Sequence, residues 1–260
     1  MTSKFVLALT CVILSITAVL AQARPPTSRL TVLHIAAAAD LQPAMPAIAK
    51  EYERQTGVKL QVSFGSSSAL ATQILNGAPV DVFLGADFSF PEKVVAADLA
   101  DQRVPTPYAT GTLVLWTRKD SGVSPLSIDL LTDPKVTRIA IADEFHAPYG
   151  RAAYAAIDAL KLRDKLKPKI VTAENVAQAA QFAESGNAQV AFISLTLANS
   201  EHMRQLGNFE RAPEIYPKLN QCGVVLKSSS NLSEAHRFLD WLTSAKAQAA
   251  LPKLGLDPAN

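Results

Sequence analysis

The stretch Lys59–Asp87 reads KLQVSFGSSSALATQILNGAPVDVFLGAD, and its pattern sets the architecture. Lys59 to Phe64 alternates polar and apolar residues as a half-buried strand does. Gly65 and three serines lead into Ala69 to Leu75, a short helix closed near Gly77, and Val80 to Leu84 is a compact apolar strand. Upstream, Leu30 to Ala37 (LTVLHIAA) is another buried strand, and Leu41 to Tyr52 carries Leu41, Met45, Ile48, Ala49 and Tyr52 at helical spacing. Downstream, Phe90 to Ala97 is a helix. Strand and helix alternate through this region, which predicts a parallel sheet with crossover helices.

The middle of the chain starts a second unit. Tyr108 to Thr117 (YATGTLVLWT) reads as one long apolar strand and Arg138 to Ala142 as another, followed by a helix from about Arg151 to Leu160. Ile170 to Thr172 is a short strand, Glu174-Asn175-Val176 opens a helix ending near Gly186, and Gln189 to Ser194 is a strand. Gln221 to Leu226 reads as a strand returning to the first half, before two terminal helices over 233–243 and 244–254. The expectation is two α/β lobes with the chain crossing near 107–112 and 215–222.

Composition narrows the function classes. The chain has 260 residues, 48% hydrophobic and 18% charged, which is globular rather than disordered. Its 25 Lys+Arg against 23 Asp+Glu leave no basic footprint for nucleic acid. Lys4, the uncharged run Phe5 to Leu20 and Ala21-Gln22-Ala23 read as an export signal over residues 1–23; the run is shorter than the ~20 residues a spanning helix needs. The mature chain then keeps one cysteine, Cys222, read as a small buried hydrophobe.

Catalytic patterns are absent. No phosphate-loop or dinucleotide fingerprint occurs. His34, His146, His202 and His236 show no metal-ligand spacing. His34 reads as a core residue, His202 and His236 as helix-surface residues. Gly65-Ser66-Ser67-Ser68 resembles half a nucleophile elbow, without its second glycine. What remains is a set of helix starts preceded by small or hydroxyl residues: Ala36–Asp40, Gly65–Ser68, His146–Gly150 and Ala173–Val176. Singly, each is an ordinary cap. Aimed at one point, their free N–H groups and helix dipoles make an anion site without Lys or Arg.

AAAADL at 36–41, SFGSSSALATQI at 63–74, NGAPVDVFLGAD at 76–87, HAPYG at 146–150 and AENV at 173–176 resemble the periplasmic molybdate-binding proteins of molybdate ABC transporters. The resemblance spans nearly all of the mature chain, and Ser63–Asp87 is its most specific part. It implies a type II periplasmic binding protein fold. Each of two lobes would be a mostly parallel sheet flanked by helices, the two joined by a two-strand hinge. Lobe 1 would comprise 24–108 and 219–260, lobe 2 109–218. It also implies a monomeric, non-enzymatic periplasmic carrier with no cofactor and no cation ligands, which delivers molybdate or tungstate to a membrane permease. Selectivity over sulfate would come from pocket size, since both ions are tetrahedral dianions.

Carried over residue by residue, Ser67 matches a hydroxyl-plus-amide ligand of the oxyanion, and Tyr149 and Val176 match residues that donate backbone amides. Asp40 stands where the family usually has Ser or Asn. Some members use a tyrosine hydroxyl in the later strand; Ser194 stands there here. A carboxylate facing a dianion repels it. Asp40 therefore either gives only its backbone N–H with the carboxylate turned away, or is protonated, or the ligand is not molybdate; Asp at a helix start is a common cap, and the cap is the reading expected. Other oxyanions, ferric iron (Asp40 with Tyr149) and a secreted serine hydrolase using Ser66, Ser67 or Ser68 are the alternatives.

Overall fold

The computed structural model describes residues 31–259. The export signal expected over 1–23 lies outside the described residues. The strands are β1 (Val32–Ala38), β2 (Lys59–Gly65), β3 (Val82–Gly85), β4 (Thr106–Gly111), β5 (Leu113–Arg118), β6 (Ile139–Ala142), β7 (Ile170–Ala173), β8 (Val190–Ser194), β9 (Gly207–Arg211), β10 (Leu219–Val225) and β11 (Asp257–Pro258). They form two sheets. The first has the order β11-β4-β10-β3-β1-β2, the second β7-β6-β8-β5-β9.

Both sheets are mixed, with most strands pointing the same way. β1 pairs in parallel with β2 and β3, and β6 with β7 and β8. The strands near the crossings run the other way: β10 is antiparallel to β3 and β4, and β5 to β8 and β9. A chain that leaves one sheet for the other and later returns has to run against its neighbours there. The apolar run at 108–117 is accordingly two strands in different sheets, meeting at Thr112. Residues 109–111, assigned above to the second lobe, pair with Leu219–Gln221 in the first sheet.

The helices that matter for the site are α1 (Met45–Thr56), α2 (Ser67–Leu75), α3 (Ser89–Ala96) and α4 (Pro148–Ala159). Later in the chain come α5 (Arg163–Leu166), α6 (Val176–Glu184), α7 (Leu195–Ala198), α8 (Glu201–Leu206), α9 (Leu232–Leu242) and α10 (Ala245–Ala250). α1 buries Met45, Ile48 and Tyr52, a one-face stripe at helical period. The helix expected from Leu41 is split: Ala39–Leu41 forms a single 3-10 turn, and α1 begins at Met45 with Pro46 in its first turn, where a missing N–H costs little. Separate clusters cover the two faces of the first sheet, one around Leu33, Tyr52, Val82 and Phe238, the other around Leu70, Phe83, Phe90 and Val94. A third, around Val114, Trp116, Ile141 and Phe192, fills the second sheet and takes in Ala38, Ala39 and Ala86 from the first. Cys222 is buried as expected, whereas His34 is exposed. Among the described residues no helix is long and apolar enough to cross a membrane.

Candidate functional site

Five turns converge where the two sheets meet. Ala38–Asp40 follows β1, Gly65–Ser67 follows β2 and Ala86 follows β3; Ala147–Tyr149 follows β6 and Asn175–Val176 follows β7. Together they line one small, tightly closed cavity. These are the carboxyl ends of parallel strands, where open α/β sheets place their ligands. Asp40, Ser67, Tyr149 and Val176 are all in the lining, and no Lys, Arg or His is.

The polar side chains of these turns mostly satisfy neighbours, which leaves the backbone donors of several turns free. Ser66 caps α2, its Oγ accepting from Ala69 N at 3.2 Å. Ser67 Oγ accepts from Ala86 N at 3.1 Å, tying the ends of β2 and β3 together. Ser68 N donates to His146 O at 3.3 Å, which joins the two sheets. Asn175 Oδ1 accepts from both Ala177 N and Gln178 N at 3.0 Å. The helix start near Arg151 lies earlier than the spacing suggested: α4 begins at Pro148, so Tyr149 sits in its first turn. The N–H groups of Ser67, Tyr149 and Val176 thus occupy first-turn positions with no acceptor inside their own helices, at the positive ends of the helix dipoles. Gly150 lets α4 press this close: a Cβ there would lie 2.2 Å from Ala142 O.

Asp40 differs from the expected cap. Its 3-10 turn is capped by no side chain, and the carboxyl is fully buried. Oδ2 accepts from Gln221 Nε2 at 2.6 Å and from the Tyr149 hydroxyl at 3.3 Å. Oδ1, also buried, has no partner. Burial raises the Asp40 pKa from 3.8 to about 7, against the pull of the Gln221 and Tyr149 hydrogen bonds. Gln221 is held by Tyr108, whose hydroxyl lies 2.9 Å from Oε1 and 3.1 Å from Gly85 O. That contact turns the Nε2 end of the amide toward Asp40. Thr196 Oγ1 donates to Asp40 O at 2.6 Å. Its proton is therefore committed, so Ser194 Oγ, 2.6 Å away, donates to Thr196 while accepting from Leu197 N. Ser194 thus caps α7 and braces the Asp40 turn; it is not in the cavity lining. Outside the cavity, Arg151 Nη1 on α4 meets Asp87 Oδ2 at 2.9 Å, a second link between the sheets.

Gln221, Tyr108 and Thr196 were not singled out by sequence reasoning. A glutamine inside the apolar strand LNQCGVV was the available signal, since a buried amide needs partners.

A family model for bacterial extracellular solute-binding proteins matches residues 33–257. The chain belongs to this family. The molybdate-binding protein ModA of Rhodobacter capsulatus is 35% identical over 78% of this chain and 79% of its own length. ModA of Azotobacter vinelandii is 33% identical over 86% of this chain and 88% of its own. The solved structure of the Azotobacter vinelandii periplasmic molybdate-binding protein superposes with a TM-score of 0.81 at 30% identity, covering 88% of this chain and all of that one. The fold is that of the type II periplasmic binding proteins, a class of carriers and not of enzymes.

Membership in the solute-binding family bears on the alternatives. His146 Nδ1 lies 2.9 Å from Asp143 Oδ1, but among the described residues no hydrogen bond joins His146 to the hydroxyl of Ser66, Ser67 or Ser68. A nucleophile–base pair is the minimum a serine hydrolase needs. Tyr108 and Tyr149 do gather near Asp40, which spacing alone did not indicate. Burial, then the nearby Asp40 charge, hold both phenols well above their usual pKa.

Proposed function

We propose that this solute-binding protein captures molybdate or tungstate as the tetrahedral dianion and delivers it, in the periplasm and as a monomer, to the permease of an ABC importer. The observation that carries the reading is the convergence of Ser67, Tyr149 and Val176, from three separate turns, on one cavity without a cationic side chain. Hydrogen bonds to a charged group contribute about 1.5–3 kcal/mol each. Several fixed amides with the Ser67 hydroxyl therefore suffice to hold a desolvated dianion. The two strand crossings, β4 to β5 and β9 to β10, are proposed as the hinge about which two lobes close, with Ser68–His146 and Arg151–Asp87 as contacts of the closed form. The ModA relatives, molybdate-binding by name, support the choice of ion.

Titration calorimetry of the processed protein with molybdate, tungstate, sulfate and phosphate tests this. Heat of binding is expected with the first two and little with the others. No heat with either metalate refutes the reading.

A further inference from the structure

We propose that the anion is bound together with one proton, carried on Asp40 Oδ1, so that this buried acid serves the site as a neutral hydrogen-bond donor. The inference rests on the oxyanion reading and deepens it.

The hydrogen-bond network determines where such a proton sits. Oδ2 already receives two donors, Gln221 Nε2 and the Tyr149 hydroxyl. Both are fixed as donors: Gln221 because its Oε1 faces the Tyr108 hydroxyl, Tyr149 because its hydroxyl faces both the Asp40 carboxyl and the Gln221 amide N–H. A proton on Oδ2 would oppose them. Oδ1 has no partner, is fully buried and belongs to a residue of the cavity lining. An ionised Oδ1 is an uncompensated buried charge beside a site for a dianion. A protonated Oδ1 is one more donor, on a residue of the same lining as the amides.

The surroundings supply no counter-charge. From β4 and α4 the facing titratable groups are Tyr108 and Tyr149, both kept protonated by burial. β10 offers the neutral Gln221, α7 the neutral Thr196, and the first turns of α2 and α6 offer Ser67 and Val176. Arg151, the nearest arginine on α4, is engaged with Asp87 and Ser89 outside the lining. Without the anion, Asp40 titrates near neutrality in the closed cavity. Entry of a dianion favours the protonated acid further. The buried pair then holds two negative charges instead of three, the proton coming from solvent.

Binding of sodium molybdate to the processed full chain is measured from pH 6 to 9 at constant ionic strength. Molybdate is the full dianion throughout. Affinity is expected to fall as pH rises across this range, approaching tenfold per pH unit above 7, and calorimetry at pH 8.5 in buffers of different protonation enthalpy should show uptake approaching one proton per ion. Asp40→Asn should bind with less than about a twofold change across the range and without proton uptake. An infrared difference spectrum of the wild-type protein, which does not depend on the variant folding, should gain a protonated-carboxyl C=O band on loading. Wild-type binding that is flat with pH and takes up no proton overturns this inference and leaves the oxyanion reading standing. An unchanged pH slope in Asp40→Asn also overturns it. Absence of molybdate and tungstate binding at every pH overturns both.

Discussion

Gly111 ends β4 and lies under the Tyr149 hydroxyl. A Cβ built on it would meet that oxygen at 2.2 Å, Gln221 Nε2 at 3.0 Å and Tyr149 Cζ at 3.1 Å. Gly111→Ala therefore forces the hydroxyl back by about 1.2 Å to regain an ordinary contact of 3.4 Å. The phenol cannot retreat freely, because Tyr149 is fixed in the first turn of α4 and its hydroxyl is bonded to Asp40 and Gln221. Overpacking of this kind costs about 1–3 kcal/mol. For a chain of this length that is a fall in Tm of roughly 2–12 °C. The clash is made by one atom, so Tyr149→Phe removes it. In that background the remaining approaches, at 3.0 and 3.1 Å, need only a few tenths of an ångström of adjustment. Thermal or urea unfolding of wild type, the two single variants and the double variant completes the cycle. Gly111→Ala should cost at least about 1 kcal/mol less in the Tyr149→Phe background than in the wild type, beyond the ~0.5 kcal/mol expected of independent sites. Equal costs in the two backgrounds would refute the packing reasoning.

Three further outcomes follow from the same geometry. Asp40 has a folded-state pKa raised from 3.8 to about 7, so the folded chain keeps a proton that the unfolded chain gives up; stability is full below about pH 4, falls as pH rises and levels off above about 7. Three units correspond to about 4 kcal/mol, so the gain in Tm of Asp40→Asn over wild type should grow from pH 4 to 7 and then hold; a gain independent of pH from 5 to 8 contradicts this. Asn175→Ala removes the cap on Ala177 N and Gln178 N and should cost about 1 kcal/mol in urea unfolding, with weaker molybdate binding because Val176 N–H is no longer held in place. Arg151→Ala removes a partly exposed ion pair that links the two sheets outside the cavity, in the range of about 0.2–1 kcal/mol, and should speed molybdate release in stopped-flow by no more than about fivefold.

The elements with a single period were legible in the sequence. β2, α2 and β3 appear within two residues of their expected ends, because an alternating strand, a serine cap and a compact apolar strand each carry a local signal. The four site residues were legible only as a set. Each is an ordinary helix start, and only the resemblance said that they meet. The run from Tyr108 to Thr117 was misleading for a physical reason. The run has no charged residue and no proline and is largely buried, so only the small residues Thr110-Gly111-Thr112 mark the place where the chain changes sheets. β9 was not anticipated because four of its five residues are exposed, so it lacks the apolar signal of an interior strand. The Asp40 environment could not be read at all from local sequence. Its partners Tyr149, Thr196 and Gln221 lie 109, 156 and 181 positions away.

Those long separations connect the site to the movement proposed for it. Gln221 lies on the returning strand β10, next to the register shift between Gln221 and Cys222. A bulge there re-aims the side chain locally. Tyr149 comes from the other sheet's α4, and Thr196 from α7 beside β8. Asp40 is thus oriented by groups from both sheets, and its hydrogen bonds with Gln221, Tyr149 and Thr196 form together only at this relative position of the two. The amides divide in the same way, with Ser67 on the first sheet's side and Tyr149 and Val176 on the second's. A separated pair of lobes would present half of the donors and leave Asp40 open to water. An anion can shift the opening equilibrium only by its difference in affinity for the two forms. In the proposed closure that difference is built in, because the full donor set and a desolvated Asp40 would belong to the closed form alone.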